Sequence, residues 1–264
     1  MSRPVLYLVL LLAVCSVLGW SRVAGAQPAI ASDRPGLGTG AFVLETGTIH
    51  LEAGAELAID GGRRFSAGQV VVRWGLPFAE LQVLGNSFVV SRSPDQAAEG
   101  VEDLGLGFKV PLVARDDDSL RVSVLASLSL PTGSRFLTSD EAVPAAALLV
   151  DRAVSERWTV STTLGYTAGP DDQPDVVSVT LTPGVAIPGP LNLDAFVGYA
   201  GFFSAGPDRH VVEGGLMFGA TADLQLDANW GLDIDTGDYF VGIGFARRWG
   251  WRGPTTQATD PGGR

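Results

Sequence analysis

The sequence predicts an all-β fold, a single closed antiparallel transmembrane β-barrel of twelve strands. Three observations carry that prediction. Apolar and polar residues alternate over segments of bilayer-spanning length. The chain is 46% apolar, with 34 glycines and positive mean hydropathy, yet beyond its N-terminal run no stretch is apolar enough for a transmembrane helix. The connections between alternating segments are themselves alternately short and long, as in outer-membrane barrels.

The alternation is clearest in two consecutive segments. In Gly100 to Leu112, residues Leu104, Leu106, Phe108, Val110 and Leu112 oppose Asp103, Gly105, Gly107 and Lys109. In Ser119 to Gly133, Leu120, Val122, Val124, Ala126, Leu128 and Leu130 oppose Ser119, Arg121, Ser123, Ser127 and Ser129, with Leu125 the one exception. Side chains point to opposite faces of a strand in turn, so each segment has one apolar and one polar face. Strands of about 9–11 residues span a bilayer.

Arg3, the apolar run Val5 to Leu18 and the small residues Ala24-Gly25-Ala26 form a signal-peptide pattern with cleavage after Ala26. The run is too short for a membrane anchor, which needs about 20 apolar residues. Cys15, the only cysteine, lies inside that run after valine, against a lipoprotein signal. Cleavage removes it and leaves no disulfide or thiolate metal site. The expected organisation is a signal peptide over 1–26, an irregular Pro/Gly/Ala-rich periplasmic segment over 27–45, the barrel over 46–249 and a flexible C-terminal tail over 250–264.

The strands follow in order, each bounded by Gly, Pro, Asn or Asp. Thr46 to Ala58 sets Ile49, Leu51, Ala53, Ala55 and Leu57 against Thr48, His50, Glu52 and Glu56. Gln69 to Leu76 sets Val70, Val72 and Trp74 against Gln69 and Arg73; Phe78 to Val90 begins with Ala79, Leu81 and Val83 against Glu80 and Gln82. The two segments above are the fourth and fifth strands. Pro144 to Val154, Trp158 to Tyr166, Val176 to Ile187, Leu191 to Phe203, Val211 to Gly219, Thr221 to Trp230 and Tyr239 to Arg247 complete the twelve. Short turns fall at Gly75–Phe78, Ser155–Arg157, Pro188–Pro190 and Gly219–Ala220. Long loops fall at Asp60–Ser66, Ser91–Gly100, Pro131–Val143, Gly169–Asp175, Ser204–His210 and Gly231–Asp238.

Charge placement agrees with this pattern. A cation on the lipid face near mid-bilayer costs about 2–4 kcal/mol, and Glu52, Arg73, Glu80, Lys109, Arg121, Asp194, Asp223 and Asp227 all fall opposite the apolar face. With Asp103 they are the candidate lumen and constriction residues, Asp103, Lys109 and Arg121 foremost: a ring of lumenal charge sets ion selectivity, and buried charges must also be paired. Trp74, Phe78, Trp158, Tyr166, Phe203, Trp230, Tyr239 and Phe240 gather near strand ends, the places of interfacial aromatic girdles. A soluble sandwich or lipocalin-like barrel also alternates, but small and charged inner residues make a poor dry core.

The net charge of −11 and a single lysine among 18 basic residues exclude nucleic acid as a partner, since binding it needs clustered Lys and Arg. No cofactor or metal site is legible: the Asp116–Asp118 run lacks calcium-loop spacing, and Gly105-x-Gly107 is followed by no helix. His50 with Glu52 is the one catalytic candidate, and no nucleophile signature accompanies it. The chain reads as no enzyme.

Asp33-Arg34-Pro35, Glu45-Thr46-Gly47 before Leu51-Glu52, Leu76-Pro77-Phe78 before Glu80-Leu81, Gly100-x-x-Asp103-Leu104-x-Leu106-Gly107-x-Lys109, Leu130-Pro131-Thr132-Gly133 and Leu164-Gly165-Tyr166 together resemble the outer-membrane transporter family named for the MetA pathway of phenol degradation. The resemblance spans about Ser32 to Trp249. It implies a Gram-negative outer-membrane channel for passive passage of small aromatic or hydrophobic molecules, surrounded by outer-membrane lipid and inserted by the barrel-assembly machinery. The alternative is a non-conducting structural or adhesive barrel acting through acidic loops. The tail Arg252 to Arg264 departs from barrels that end on a terminal aromatic residue.

Overall fold

A computed structural model describes residues 30–250 apart from 86, 95–96, 116–118 and 171–172. The expected signal peptide, Cys15, the Asp116–Asp118 run and the tail after Gly250 lie outside the described residues. Among the described residues there are strands and no helix.

The strands are β1 (Ile49–Ile59), β2 (Arg63–Gly75), β3 (Glu80–Leu84), β4 (Phe88–Arg92), β5 (Ala97–Val101), β6 (Leu104–Ala114), β7 (Leu120–Leu130), β8 (Val143–Ala153), β9 (Trp158–Thr167), β10 (Val176–Ile187), β11 (Leu193–Phe203), β12 (Arg209–Thr221), β13 (Leu224–Asp233) and β14 (Tyr239–Trp249). β3 and β4 both pair with β2 and together make one stave; β5 and β6 pair with them and make the next. The result is a twelve-stave antiparallel barrel, closed where β1 pairs with β14 from Ile49↔Trp249 to Ile59↔Tyr239. Closure leaves every full-length strand paired on both sides, as lipid requires because an unsatisfied backbone group there costs several kcal/mol; among the described residues the short β5 pairs on one side alone.

The faces are inverted relative to a soluble protein. Leu106, Phe108, Leu164, Val197, Leu216, Val241 and Ile243 are exposed on the outside, while His50, Glu52, Arg73, Glu80, Gln82, Lys109, Thr180, Glu213 and Asp227 are buried inside. Exposed Trp74, Phe78, Trp158 and Trp249 mark the end where β1 begins and β14 finishes; Tyr166, Trp230 and Tyr239 mark the other. Phe240 leaves its expected place in the girdle. It points inward, 6% exposed, in a cluster with Ala200 and Val211, because it is out of phase with Tyr239. Leu125, the exception to its strand's alternation, faces inward and covers the bare backbone of Gly107.

Two expected long loops shrink. The Asp60–Ser66 loop is a turn over 60–62, and most of Ser91–Gly100 is strand. Arg64 to Ala67 pairs with both β1 and β4 although little in it alternates, since each stave needs a partner on both sides whatever its side chains prefer. A bulge opposite Glu52–Gly54, with Gln69 at φ 43°, separates this stretch from the alternating half of β2. The turn expected at Gly219–Ala220 lies at 222–223, which moves Asp223 off the barrel wall.

Candidate functional site: the lumen and its internal segment

The described part of the expected periplasmic segment, Ile30 to Glu45, runs inside the barrel. This corrects the sequence reading, and the cause is polar: the segment offers backbone amides and carbonyls to an inner wall crowded with charged and hydroxyl side chains. Its contacts follow the wall round in order. The Leu44 amide donates to Glu80 Oε2 at 2.9 Å. The Phe42 ring lies under the Arg121 guanidinium, 5.1 Å away. The Ala41 amide donates to Asp151 Oδ2 at 2.8 Å, and Ser123 Oγ donates to the Ala41 carbonyl at 2.6 Å. Thr39 exchanges hydrogen bonds with Thr163, both 3.1 Å. The Leu37 amide donates to Glu213 Oε2 at 2.8 Å. Arg34 reaches Gln69 at 2.9 Å and Asp227 at 3.4 Å. The Asp33 amide donates to Glu52 Oε1 at 3.2 Å, returning the segment to its starting side.

Four amides, at 33, 37, 41 and 44, thus meet four wall carboxylates. Local sequence permits so close a path. A Cβ on Gly38 would stand 2.7 Å from Thr180 Oγ1, and Gly36 adopts φ +120°, the left-handed region that glycine tolerates.

Where the loop closes on itself the site is most densely charged. Arg73 Nε donates to Glu80 Oε1 at 2.7 Å and Nη2 to Glu80 Oε2 at 2.9 Å, while Nη1 meets Glu52 Oε1 and the Ala31 carbonyl, each at 2.9 Å. Lys109 Nζ donates to both Asp33 oxygens at 2.8 and 2.9 Å and to the Gly40 carbonyl at 3.1 Å. Gln82 Nε2 donates to Asp33 Oδ2 at 3.1 Å. Glu52, Glu80, Arg73 and Lys109 are held away from water here, with Asp33 partly exposed at their edge; such a network is costly to break from one side.

Of the nine sequence candidates, the structure therefore brings together Glu52, Arg73, Glu80 and Lys109, all 0% exposed. Asp227 pairs with Arg34 further along the segment, and Arg121 covers Phe42. Asp194 stands half-buried at the start of β11, apart from this set. Two candidates are not constriction residues. Asp103 sits between β5 and β6, accepting bonds from the Gly133 amide (2.7 Å), the Ser139 amide (2.9 Å) and Ser139 Oγ (3.0 Å), so it anchors the 131–142 loop. Asp223 is in the 222–223 turn, paired with Arg248 at 3.1 Å. His50 is buried beside them, opposite Arg73 and Arg248 in register.

The sequence candidates leave out Asp33, Arg34 and Phe42 on the internal segment and the wall residues Gln69, Ser123, Asp151, Thr163 and Glu213 that meet it. An irregular segment has no periodicity, so nothing in it announces which face of the barrel it touches. One signal was available: a lone lysine on an inner face needs a carboxylate from somewhere.

Solved structures share this architecture. An outer membrane channel from Pseudomonas putida F1 superposes with a TM-score of 0.62 at 15% identity, covering 78% of this chain and 97% of that one. The NanC porin superposes with a TM-score of 0.53 at 8% identity, covering 75% and 98%. At such identities the likeness concerns the fold. No curated protein sequence matches this chain. The family described as "Putative MetA-pathway of phenol degradation" matches residues 32–249, nearly all of the described chain, and the protein belongs to that family.

Proposed function

We propose that this protein is an outer-membrane channel for passive passage of small molecules, closed in the described state by its own segment 30–45 and opened when that segment withdraws. The observation that carries the reading is the way the segment is held. Apart from the Asp33 and Arg34 ion pairs and the Phe42–Arg121 contact, its attachments are single hydrogen bonds, worth about 0.5–1.5 kcal/mol net between neutral groups and about 1.5–3 kcal/mol where a wall carboxylate, Arg73 or Lys109 takes part, and each replaceable by water. A barrel meant only as a scaffold needs no such lining; its lumen fills with side chains. The family's description and the channels that share the fold support the same reading, and the description favours aromatic solutes. The apolar outer belt and both girdles suit the outer membrane, reached through the expected cleaved signal peptide.

The segment can be tethered to test this. A Cβ on Gly38 would lie 3.4 Å from Thr180 Cβ, close to the separation across a disulfide. In a planar bilayer, the wild type is expected to show discrete openings. A Gly38→Cys/Thr180→Cys protein should be silent when oxidised and regain openings on reduction. Silence in every state from folded protein would favour the non-conducting, adhesive alternative.

A further inference from the structure

We propose that Glu213 and Thr182 form a binding site for a compact cation of the primary-ammonium class on the lumen wall, covered in the described state by residues 36–38. The inference rests on the reading above, in that the cover must be able to move.

Glu213 is 0% exposed. Its Oε2 takes the Leu37 amide, while its Oε1 has no hydrogen-bond partner. Among the described residues no Arg, Lys or His forms an ion pair with it, whereas Glu52, Glu80, Asp33 and Asp227 all have one, and Asp151 faces Arg121 across the β7–β8 register. A carboxylate taken out of water beside a neutral amide alone is an expensive arrangement, relieved when a proton or another cation neutralises it.

Thr182 Oγ1 is likewise buried without a partner. Both oxygens converge on one place: from the point where a Cβ on Gly198 would stand, Thr182 Oγ1 is 3.0 Å and Glu213 Oε1 3.2 Å distant. The floor between them is bare backbone, and the Phe196 ring, 9% exposed, borders it under Gly36.

The chemistry of this set selects its ligand. The carboxylate oxygen accepts only and the hydroxyl accepts readily, so the visitor must bring donors and positive charge. A primary ammonium carries three N–H donors on one compact centre, and an aromatic face nearby favours it further. A divalent metal needs about six or more oxygens, which this wall does not supply. Leu37 N–H now occupies the second carboxylate oxygen, so the cation and the internal segment compete for one residue.

The test uses the full chain refolded in detergent micelles, titrated with ethylammonium and followed by NMR. Wild type should show saturable binding. Leu37→Pro, which deletes the competing amide, should bind at least tenfold more tightly, and Glu213→Gln should lose binding in either background. Thr182→Val should weaken it severalfold, while the rim variant Asp223→Asn leaves it unchanged. Tetramethylammonium, having no N–H, should not displace ethylammonium. Binding that survives Glu213→Gln, or no saturable binding in folded wild type and Leu37→Pro, overturns the site and leaves Glu213 a structural carboxyl group. Conductance of the same proteins is read separately. A silent protein that binds ethylammonium through Glu213 keeps the site and refutes the channel, and a conducting one that does not bind refutes the site alone.

Discussion

Lys109 Nζ lies 2.8 Å from Asp33 Oδ2 and 3.1 Å from the Gly40 carbonyl, so the only lysine in the chain fastens both ends of the loop that the internal segment makes around the wall. Removing that ammonium leaves Asp33 facing Arg73 at 3.4 Å as its remaining cation. Lys109→Met is expected to destabilise the folded barrel by about 3–5 kcal/mol, the usual cost of breaking a buried pair from one side, and to raise open probability. Unfolding from lipid and single-channel recording check the two effects; Asp33→Asn with Lys109→Met should recover part of the stability.

Arg121 acts on the segment through Phe42. A cation–π contact of about 0.5–1 kcal/mol corresponds to roughly a twofold to fivefold change in an equilibrium. Arg121→Ala should therefore raise open probability by about that factor, and Arg121→Lys by less. An open probability unchanged in both would remove Phe42 from the closing contacts.

Asp103 belongs to the loop rather than to the lumen. Asp103→Ala frees the Gly133 and Ser139 donors, and the 131–142 loop is expected to become cleavable by added protease while conductance steps keep their size. A changed step size would return Asp103 to the constriction.

Asp175 accepts the Gly169 amide at 3.0 Å and the Tyr166 hydroxyl at 2.7 Å. These bonds, the Gly169 amide foremost, hold its carboxyl below the usual range. A depressed carboxyl favours the closed loop above its unfolded value, about 3.9, and that contribution disappears as pH falls through the lower folded value. Hydrogen exchange at Gly169, corrected for intrinsic rate, should accelerate only below about pH 4. In Asp175→Asn it should be fast at neutral pH too.

Leu106 stands 46% exposed on the lipid face of β6. Leu106→Arg is expected to cost about 2–4 kcal/mol in unfolding from bilayers, while Leu112→Arg, 58% exposed near the end of the same strand, should cost about 0–1 kcal/mol. Equal costs would place β6 outside the membrane.

The strands were legible wherever side chains alternated cleanly. β6, β7, β10 and β13 lie within a few residues of their expected places because lipid outside and polar lumen inside impose a period of two on the sequence itself. The first half of β2 and all of β5 were not, since Arg63-Arg64-Phe65-Ser66 and Ala97-Ala98-Glu99-Gly100 carry little alternation and are strands only because neighbouring staves require pairing.

By itself, then, the sequence determined the inverted barrel, its twelve staves and the inward placing of Glu52, Arg73, Glu80, Lys109 and Asp227. Only the tertiary structure decided what those charges meet. Inward direction is a local property, set by the alternation along one strand. Partnership is not: Asp33 lies 76 residues from Lys109 and the Leu37 amide 176 from Glu213. The segment that joins them has no periodicity, so its path around the lumen follows from the hydrogen-bonding needs of a wall that exists only once the barrel has closed.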